Sequence, residues 1–592
     1  MSAQHDIFNY LFHLKLNSWT PLIAEQHKFF NDEEIALLNR CNRMFQPSRR
    51  TIAILSFENR FASLGGLAAV VRKFPAALRK AGEKVLLITP LHKGNSAVKN
   101  ALASGELIER FTGVQAHICN FSCMICCYEE VNAVVPTLHI GIDDHFNAGE
   151  NPYGYDNRET LLFDTLAFCA AVPTALSYLG INEHLLFHAH DWETAPIALF
   201  SRCAVISSLL QQVKTVLTLH NSFDSPFPDR FKKLFFNRVF KGDTILQCML
   251  PLLDGPLTTV STPFAFELRN DPLQRGFFVD HLQRHFAMNP PIGIENGMFG
   301  EAATRFSQAE LESAAAGDFK PLLDRKSVWR KAFLTSEARD TDPRISGRFN
   351  DELRNNPSAA IFFMSGRLDP LQKGFDVIFH AFKRLKPGSA YLFFTPTLHT
   401  GQEDLSFFKE IAEQSNGRIV IWPFLMPSRQ YRAFLQGASF LLMPSLYEPF
   451  GAANEGFLNA TPVIARATGG LLAQVHAGND FEVPPQYAQI VPSQQKSDEV
   501  NGILFKERLE EREALSQWRS LFELPVKDRM ENPLYVSIVD AATEALDKAV
   551  TIFTDNDAYG AMLFNGQRQQ GYTWKEAAVK YRAVFDVACL RG

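Results

Sequence analysis

Short apolar runs that end in small or polar residues recur along this chain, and the sequence between them reads as helix. In the first half the runs are TIAILSF (51–57), KVLLITP (84–90), LLFHAHD (185–191), KTVLTLHN (214–221) and LTTVS (257–261). In the second half they are AAIFFMSGR (359–367), YLFFTPT (391–397), GRIVIWPF (417–424), ASFLLMPS (438–445) and TPVIAR (461–466). Continuous apolar character marks strands buried on both faces, and intervening helices mark parallel pairing, because parallel neighbours need a crossover. The pattern predicts an α/β fold of two Rossmann-like domains facing a cleft, with ligand at the carboxyl ends of the strands. A length of 592 residues fits this, being more than one core normally organises.

The polar, helical stretch between Glu301 and Ser358 is the natural boundary. The expected organisation is an N-terminal helical extension over 1–48, a first Rossmann-like domain over 49–320 and a second over 345–535. Helices over 536–592 should pack back on the first domain; within them WKEAAVKYRAVF (574–585) carries an apolar face at helical spacing.

The formal net charge is -5, with both signs interspersed, so the basic footprint of a nucleic-acid binder is missing. The sequence reads as having no run of roughly 18 apolar residues, and MSAQHDIFNYLFHLK lacks a signal-peptide layout, so no membrane insertion and a cytoplasmic location are expected. Nine cysteines are too sparse for a disulfide scaffold. Four of them, Cys119, Cys123, Cys126 and Cys127, include a Cys-x3-Cys-x2-Cys spacing that can hold an iron–sulfur cluster. The segment VQAHICNFSCMICCYEEV alternates like one strand, which puts Cys119, Cys123 and Cys127 on one face and Cys126 on the other, whereas cluster ligands must converge. The expectation is a buried strand and no metal.

Several residues have chemistry suited to a phosphate-bearing ligand. Gly65 and Gly66 follow the first strand, where missing side chains let helix-start amides approach a diphosphate. Arg367 and Lys373 follow a strand and a Ser-Gly turn, so both can reach the crevice and neutralise negative charge on a ligand there. Glu448, after the strand FLLMPS, can accept hydrogen bonds from ligand hydroxyls and offset a developing positive charge. Backbone amides at Gly451, Ala452 and Ala453, and at Thr468, Gly469 and Gly470, lie beside expected helix starts and are candidate phosphate or nucleotide contacts.

Nine motifs stand in order: SLGGLAAVV, NPYGYD, HAHDWETAP, TLHNSF, TTVSTPFAFEL, GIENGMF, SGRLDPLQKGFD, MPSLYEPFG and ATGGL. Together they resemble the bacterial glycogen and plant starch synthases, and more loosely the retaining glycosyltransferases with the GT-B fold, over about residues 50 to 590 with an apparent insertion near 507–534. The resemblance implies a hexosyltransferase that moves glucose from ADP-glucose or UDP-glucose to the non-reducing end of an α-1,4-glucan. It implies no cofactor and no metal, with the acceptor on the first domain and the nucleotide sugar on the second. By motif position, His190 lies near the transferred sugar, Asn296 contacts it, Tyr153 and Asp156 face the acceptor, and Glu455 meets the ribose. His188 reads as a packed neighbour of His190.

The sequence departs from that pattern at several places. The synthases carry Lys-x-Gly-Gly-Leu and then a nearby aspartate where this chain has Ser63 and Ala69. The Arg367-to-Lys373 spacing is one residue longer than in bacterial synthases, Glu455 follows Glu448 by seven positions where eight is common, and FFTPTLHTGQED (393–404) replaces a glycine-rich turn. Two other readings therefore stand beside the synthase: a transferase making another glycoside or polysaccharide, and a catalytically silent glucan-binding or regulatory protein.

Overall fold

Each of the ten apolar runs contains a strand, and the strands form two sheets. The first contains β1 (Thr51–Leu55), β2 (Lys84–Pro90), β3 (Leu107–Ile118), β4 (Phe121–Glu130), β5 (Thr137–Ile142), β6 (Glu183–His190), β7 (Gln211–Leu219), β8 (Thr258–Thr259) and β9 (Ile292–Gly293), in the order β3-β4-β5-β2-β1-β6-β7-β8-β9. The second contains β10 (Ala360–Arg367), β11 (Ala390–Thr397), β12 (Ile419–Ile421), β13 (Phe440–Met443), β14 (Val463–Arg466) and β15 (Gly502–Phe505), in the order β12-β11-β10-β13-β14-β15. All pairs in the second sheet are parallel. In the first, among the described residues, the β3-β4-β5 edge is antiparallel and the other pairs are parallel. The helices that carry or flank the site are α1 (Gly66–Lys80), α2 (Arg158–Tyr178), α3 (Asp191–Thr194), α4 (Thr262–Asn270), α5 (Phe375–Lys383), α6 (Ser428–Gly437), α7 (Ala453–Leu458), α8 (Gly469–Gln474), α9 (Pro533–Thr554), α10 (Asn556–Arg568) and α11 (Trp574–Leu590).

The structure is a computed structural model and describes residues 45–237, 239–298, 305–398, 404–484, 487–488, 490, 499–508, 514–568 and 572–590. Most of the expected N-terminal extension (residues 1–44), part of the expected insertion (509–513) and part of FFTPTLHTGQED (399–403) lie outside the described residues. Two units result: unit 1 is the chain up to Val260, Phe278–Gly297 and Trp574 onward, and unit 2 is Ser261–Phe277 with Met298–Thr573.

This division differs from the linear one. Residues 536–592 do not act as one block, because α9 and α10 belong to unit 2 and only α11 belongs to unit 1. Likewise α4, expected inside the first domain, belongs to unit 2. Within unit 1, α11 packs Tyr581 on Phe74 of α1, with ring centroids 4.7 Å apart, and donates from Arg582 Nε to Glu83 Oε1 at 2.8 Å. The core of unit 2 is strongly aromatic: Phe333, Phe363, Phe393, Trp422 and Phe434 are buried together beside β10, β11 and β12.

Two other expectations need correction. The cysteine-rich segment is a hairpin of β3 and β4, not one strand: Ile118 pairs with Phe121 across a two-residue turn in which Cys119 takes a left-handed φ of 53°. No Gly or Pro announces that turn. Cys126 and Cys127 are buried, and burial pushes the Cys123 and Cys127 thiols up to about 12. The second concerns apolar runs. Helix α2 is long and apolar enough to cross a membrane by length and composition, but 72% of its most apolar window is buried, as befits a helix in the middle of a core. The sequence reading missed it because Arg158, Glu159 and Asp164 break up its first turns.

Each sheet reverses its strand order beside a central strand. In unit 1 the chain winds outward from β1 through β2 on one side and through β6 on the other; in unit 2 it winds from β10 through β11 on one side and through β13 on the other. The loops leaving such a pair of strands diverge, and the gap between them is where an open α/β sheet receives ligand.

Candidate active site

In unit 2 the switch point lies between β10 and β13, and Arg367, Lys373 and Glu448 gather around it. Arg367 ends β10, and its guanidinium donates to Gln372 Oε1 at 2.7 Å. Lys373 precedes α5, whose N-cap Gly374 is left-handed at φ 58°; a Cβ there would lie 2.5 Å from the Pro444 carbonyl, so only glycine lets this loop rest against the end of β13. The contact is reinforced where the Leu446 amide donates to the Gln372 carbonyl at 2.7 Å. The result is an ion pair: Lys373 Nζ lies 2.6 Å from Glu448 Oε2, which also accepts from Ser445 Oγ at 2.9 Å. The Glu448 side chain is 9% exposed and that of Lys373 is 18% exposed, so water screens the pair only partly.

The segment after Glu448 is held from below. The Ser261 hydroxyl, N-cap of α4, donates to the Pro449 carbonyl at 2.5 Å, and Gln474 Nε2 donates to the Phe450 carbonyl at 2.5 Å. Gly451 is left-handed at φ 80°, and a Cβ there would press on Leu471 and on Glu448 Cγ. Ala452 caps α7, which carries Glu455 in its first turn. Burial raises the Glu455 carboxyl above the usual carboxylate range. The neighbouring Tyr431 of α6 bonds Ser365 Oγ at 2.9 Å, so this corner of the unit has a run of polar groups beside the end of β10.

Thr468, Gly469 and Gly470 are used differently from the expectation. The Gly469 amide donates to Glu267 Oε1 at 2.7 Å and the Gly470 amide to the Glu448 carbonyl at 3.1 Å, so neither is available to a phosphate. A Cβ on Gly469 would collide with the Glu448 carbonyl oxygen, and one on Gly470 with the Phe450 backbone. These glycines are needed because two backbone segments touch.

Unit 1 has its own switch-point cluster between β1 and β6. The amides of Leu64, Gly65 and Ala68 at the start of α1 donate to Glu58 Oε2 at 3.0, 3.1 and 3.3 Å. A carboxylate from the chain therefore sits where the sequence reading put a diphosphate at Gly65 and Gly66. Tyr153 donates to the other oxygen, Glu58 Oε1, at 3.2 Å and stacks on Phe57. Asp156 is exposed. His190 ends β6 almost wholly buried: its amide donates to Thr194 Oγ1 at 2.6 Å, and its Nδ1 lies 2.7 Å from His220 Nε2. Its Nε2 has no partner among the described residues. Burial, with His188 and His220 adding to it, lowers the His190 pKa far below the ordinary histidine range, so the ring is neutral. His188 Nε2 bonds Thr218 Oγ1 at 2.7 Å. Asn296, 3% exposed, follows β9, and its amide donates to the Val260 carbonyl at 3.3 Å.

Two further carboxyl groups stand beside His190. Asp191 is left-handed at φ 61° and accepts from the His220 amide at 2.6 Å and from Asn221 Nδ2 at 3.1 Å. Burial raises its pKa to about 7 although the His220 amide pulls the other way, and Glu193 is raised well above its ordinary value by burial and by Asp191. The sequence reading passed over Glu58, Asp191, Glu193, Gln372 and Glu267. Glu58 and the pair in HAHDWETAP had one available signal, an acidic residue in a loop leaving a central strand; Glu267 and Gln372 lie within the motifs TTVSTPFAFEL and SGRLDPLQKGFD, where nothing in their spacing sets them apart from their neighbours.

Residues 51–272 match the family model of the starch synthase catalytic domain, and residues 348–516 match that of glycosyl transferases group 1. The glycogen synthase of Caldicellulosiruptor saccharolyticus is 25% identical over 448 residues, covering 71% of this chain and 84% of that protein. The glycogen synthase of Thermus thermophilus is 28% identical over 432 residues, covering 70% and 84%. The catalytic domain of starch synthase IV from Arabidopsis thaliana, solved with ADP and acarbose, is 17% identical with a TM-score of 0.66 over 91% of this chain and 99% of that one, which establishes the fold. With two switch-point clusters on two such sheets, this chain is a glycogen- and starch-synthase-like glycosyltransferase of the GT-B fold.

Proposed function

We propose that the chain is a cytoplasmic, retaining glucosyltransferase that moves glucose from ADP-glucose or UDP-glucose to the non-reducing end of an α-1,4-glucan. The observation that carries the reading is the Lys373–Glu448 pair at 2.6 Å beside Arg367, at the switch point of the six-stranded sheet. A nucleoside diphosphate gains negative charge as it leaves, and Arg367 and Lys373 are two fixed cations placed to receive it. Glu448, held by Ser445, supplies the opposite charge for a sugar whose anomeric carbon becomes positive. Glu455 receives the ribose, with Gly451 and Ala452 alongside. In unit 1, neutral His190 and Asn296 offer hydrogen bonds to the sugar, and Tyr153 and Asp156 lie on the acceptor side. The glycogen synthase relatives and the ADP and acarbose bound to starch synthase IV support the choice of donor and acceptor.

No divalent ion enters the scheme, since the two cations carry the charge a metal would otherwise carry. Because Glu58 fills the start of α1, the diphosphate depends on the unit 2 cations more than the glycine pair suggests. The test is nucleotide release from a panel of nucleotide sugars with and without glycogen. Acceptor-dependent release from adenosine or uridine diphosphate glucose is expected. Absence of release across the panel, with glucan still bound, would establish a binding protein instead.

A further inference from the structure

We infer that Glu267 is a positioning residue for the glucosyl transfer, holding the backbone on which Glu448 is mounted. The inference rests on the role proposed for Glu448. Glu267 is wholly buried on α4, a helix of unit 2 that the chain inserts between two segments of unit 1. Its Oε1 accepts from the Gly469 amide at 2.7 Å, the Thr468 hydroxyl at 3.2 Å and the Tyr487 hydroxyl at 3.3 Å. Thr468 and Gly469 open α8, and the next amide, Gly470, donates to the carbonyl of Glu448 itself. No side chain fits between α8 and the 448–450 backbone, since a Cβ on Gly469 or Gly470 would strike it. A displacement of α8 is therefore passed directly to Glu448. The other end of α4 reaches the same place, through the Ser261 hydroxyl on the Pro449 carbonyl. One helix thus holds both sides of the Glu448 turn, by a carboxylate at one end and a hydroxyl at the other.

The charged and titratable groups around Glu267 are Asp271 on its own helix, Tyr487, Lys506 and Arg466. Burial raises the Glu267 carboxyl to about 7, with Asp271 adding to the rise and Lys506, the Gly469 amide and Arg466 opposing it. Above that pH the three donors meet a charged carboxylate oxygen; below it the proton sits on Oε2, Oε1 is a neutral carbonyl oxygen, and the group resembles a glutamine, which holds the same donors more weakly.

The test compares the parent with Glu267→Ala and Glu267→Gln, following kcat, donor KM and amide exchange. Glu267→Ala is expected to lower kcat by about a hundredfold, the scale of a misplaced catalytic group, with donor KM changed by less than about threefold. Exchange should accelerate in peptides covering 446–475. Glu267→Gln should match the parent at pH 6 and fall below it only above pH 7, because its carbonyl keeps the place of Oε1 but never carries the carboxylate charge. Parent kcat in Glu267→Ala, a loss confined to donor KM, or equal pH profiles for parent and Glu267→Gln would overturn the inference. If Glu267→Ala does not fold, the pH comparison decides. If the parent transfers from no donor, the proposed function fails first, and unchanged exchange at 468–474 in Glu267→Gln at pH 8 would then overturn the positioning role independently.

Discussion

Replacing Lys373 by alanine tests the charge argument at its centre. The ammonium lies 2.6 Å from Glu448 Oε2, with both side chains largely buried, so at an effective dielectric of about 20 the gross attraction is about 6 kcal/mol before desolvation. That attraction is present in the resting enzyme and so does nothing for the rate. What accelerates the reaction is the further stabilisation as charge grows on the departing diphosphate, and removing one preorganised donor of that kind costs about 3 kcal/mol, or roughly a hundredfold in kcat. Lys373→Ala should therefore lower kcat by about two orders of magnitude and shift donor KM by less than about threefold. Initial rates at saturating glycogen across a donor titration give both numbers, and a thermal melt controls for folding. A folded Lys373→Ala protein with kcat within about threefold of the parent, or one whose loss lies wholly in KM, would refute the leaving-group role.

Burial raises Asp191 to about 7, so the folded state holds its proton more tightly than the unfolded chain does; the associated stability is complete at acid pH and is lost as pH rises through about 7. Thermal melts from pH 5 to 8 should accordingly slope less steeply in Asp191→Asn than in the parent. Glu507 behaves in the opposite sense: burial pushes its carboxyl up, but Arg466 and Lys506 outweigh that and hold it near 2, so its contribution is present above the ordinary carboxylate range and is lost as pH falls toward 2. Glu507→Ala would leave Arg466, 2% exposed, without its counter-ion, and urea unfolding should report a loss of about 3 kcal/mol or more. Finally, turnover should persist in excess EDTA; a loss that magnesium or manganese restores would require a metal in the mechanism.

What could be read from the sequence was what depends on neighbours along the chain. Parallel strands buried on both faces produce uninterrupted runs such as AIFFM and LFFTP, and these located both sheets. The places of Arg367, Lys373 and Glu448 could be read because Arg367 ends β10 and the other two follow the ends of the strands flanking the β10–β13 switch. The turn at Cys119 was hidden because its left-handed residue is not glycine. The membership of α4 was hidden because its deciding partners, Pro449 for Ser261 and Gly469 for Glu267, lie 188 and 202 residues away. The occupied amides at Gly65 and Gly469 were hidden for a similar reason: a glycine pair advertises close approach without saying whether a ligand or the chain itself approaches.

The placement of α11 has a consequence for synthesis. Tyr581 and Phe585 pack on His188 in the centre of the first sheet, and Arg50 at the start of β1 is paired both with Glu83 and, at 2.5 Å, with Asp586. The unit that leaves the ribosome first thus lacks a wall of its own core until residues 574–590 have been made, while α4, made early, must await the Gly469 segment. Neither unit can finish folding vectorially. A nascent chain of this protein must carry a partly open β-sheet through most of its translation, and removal of only the last helix should damage the first-made unit, at the opposite end of the sequence.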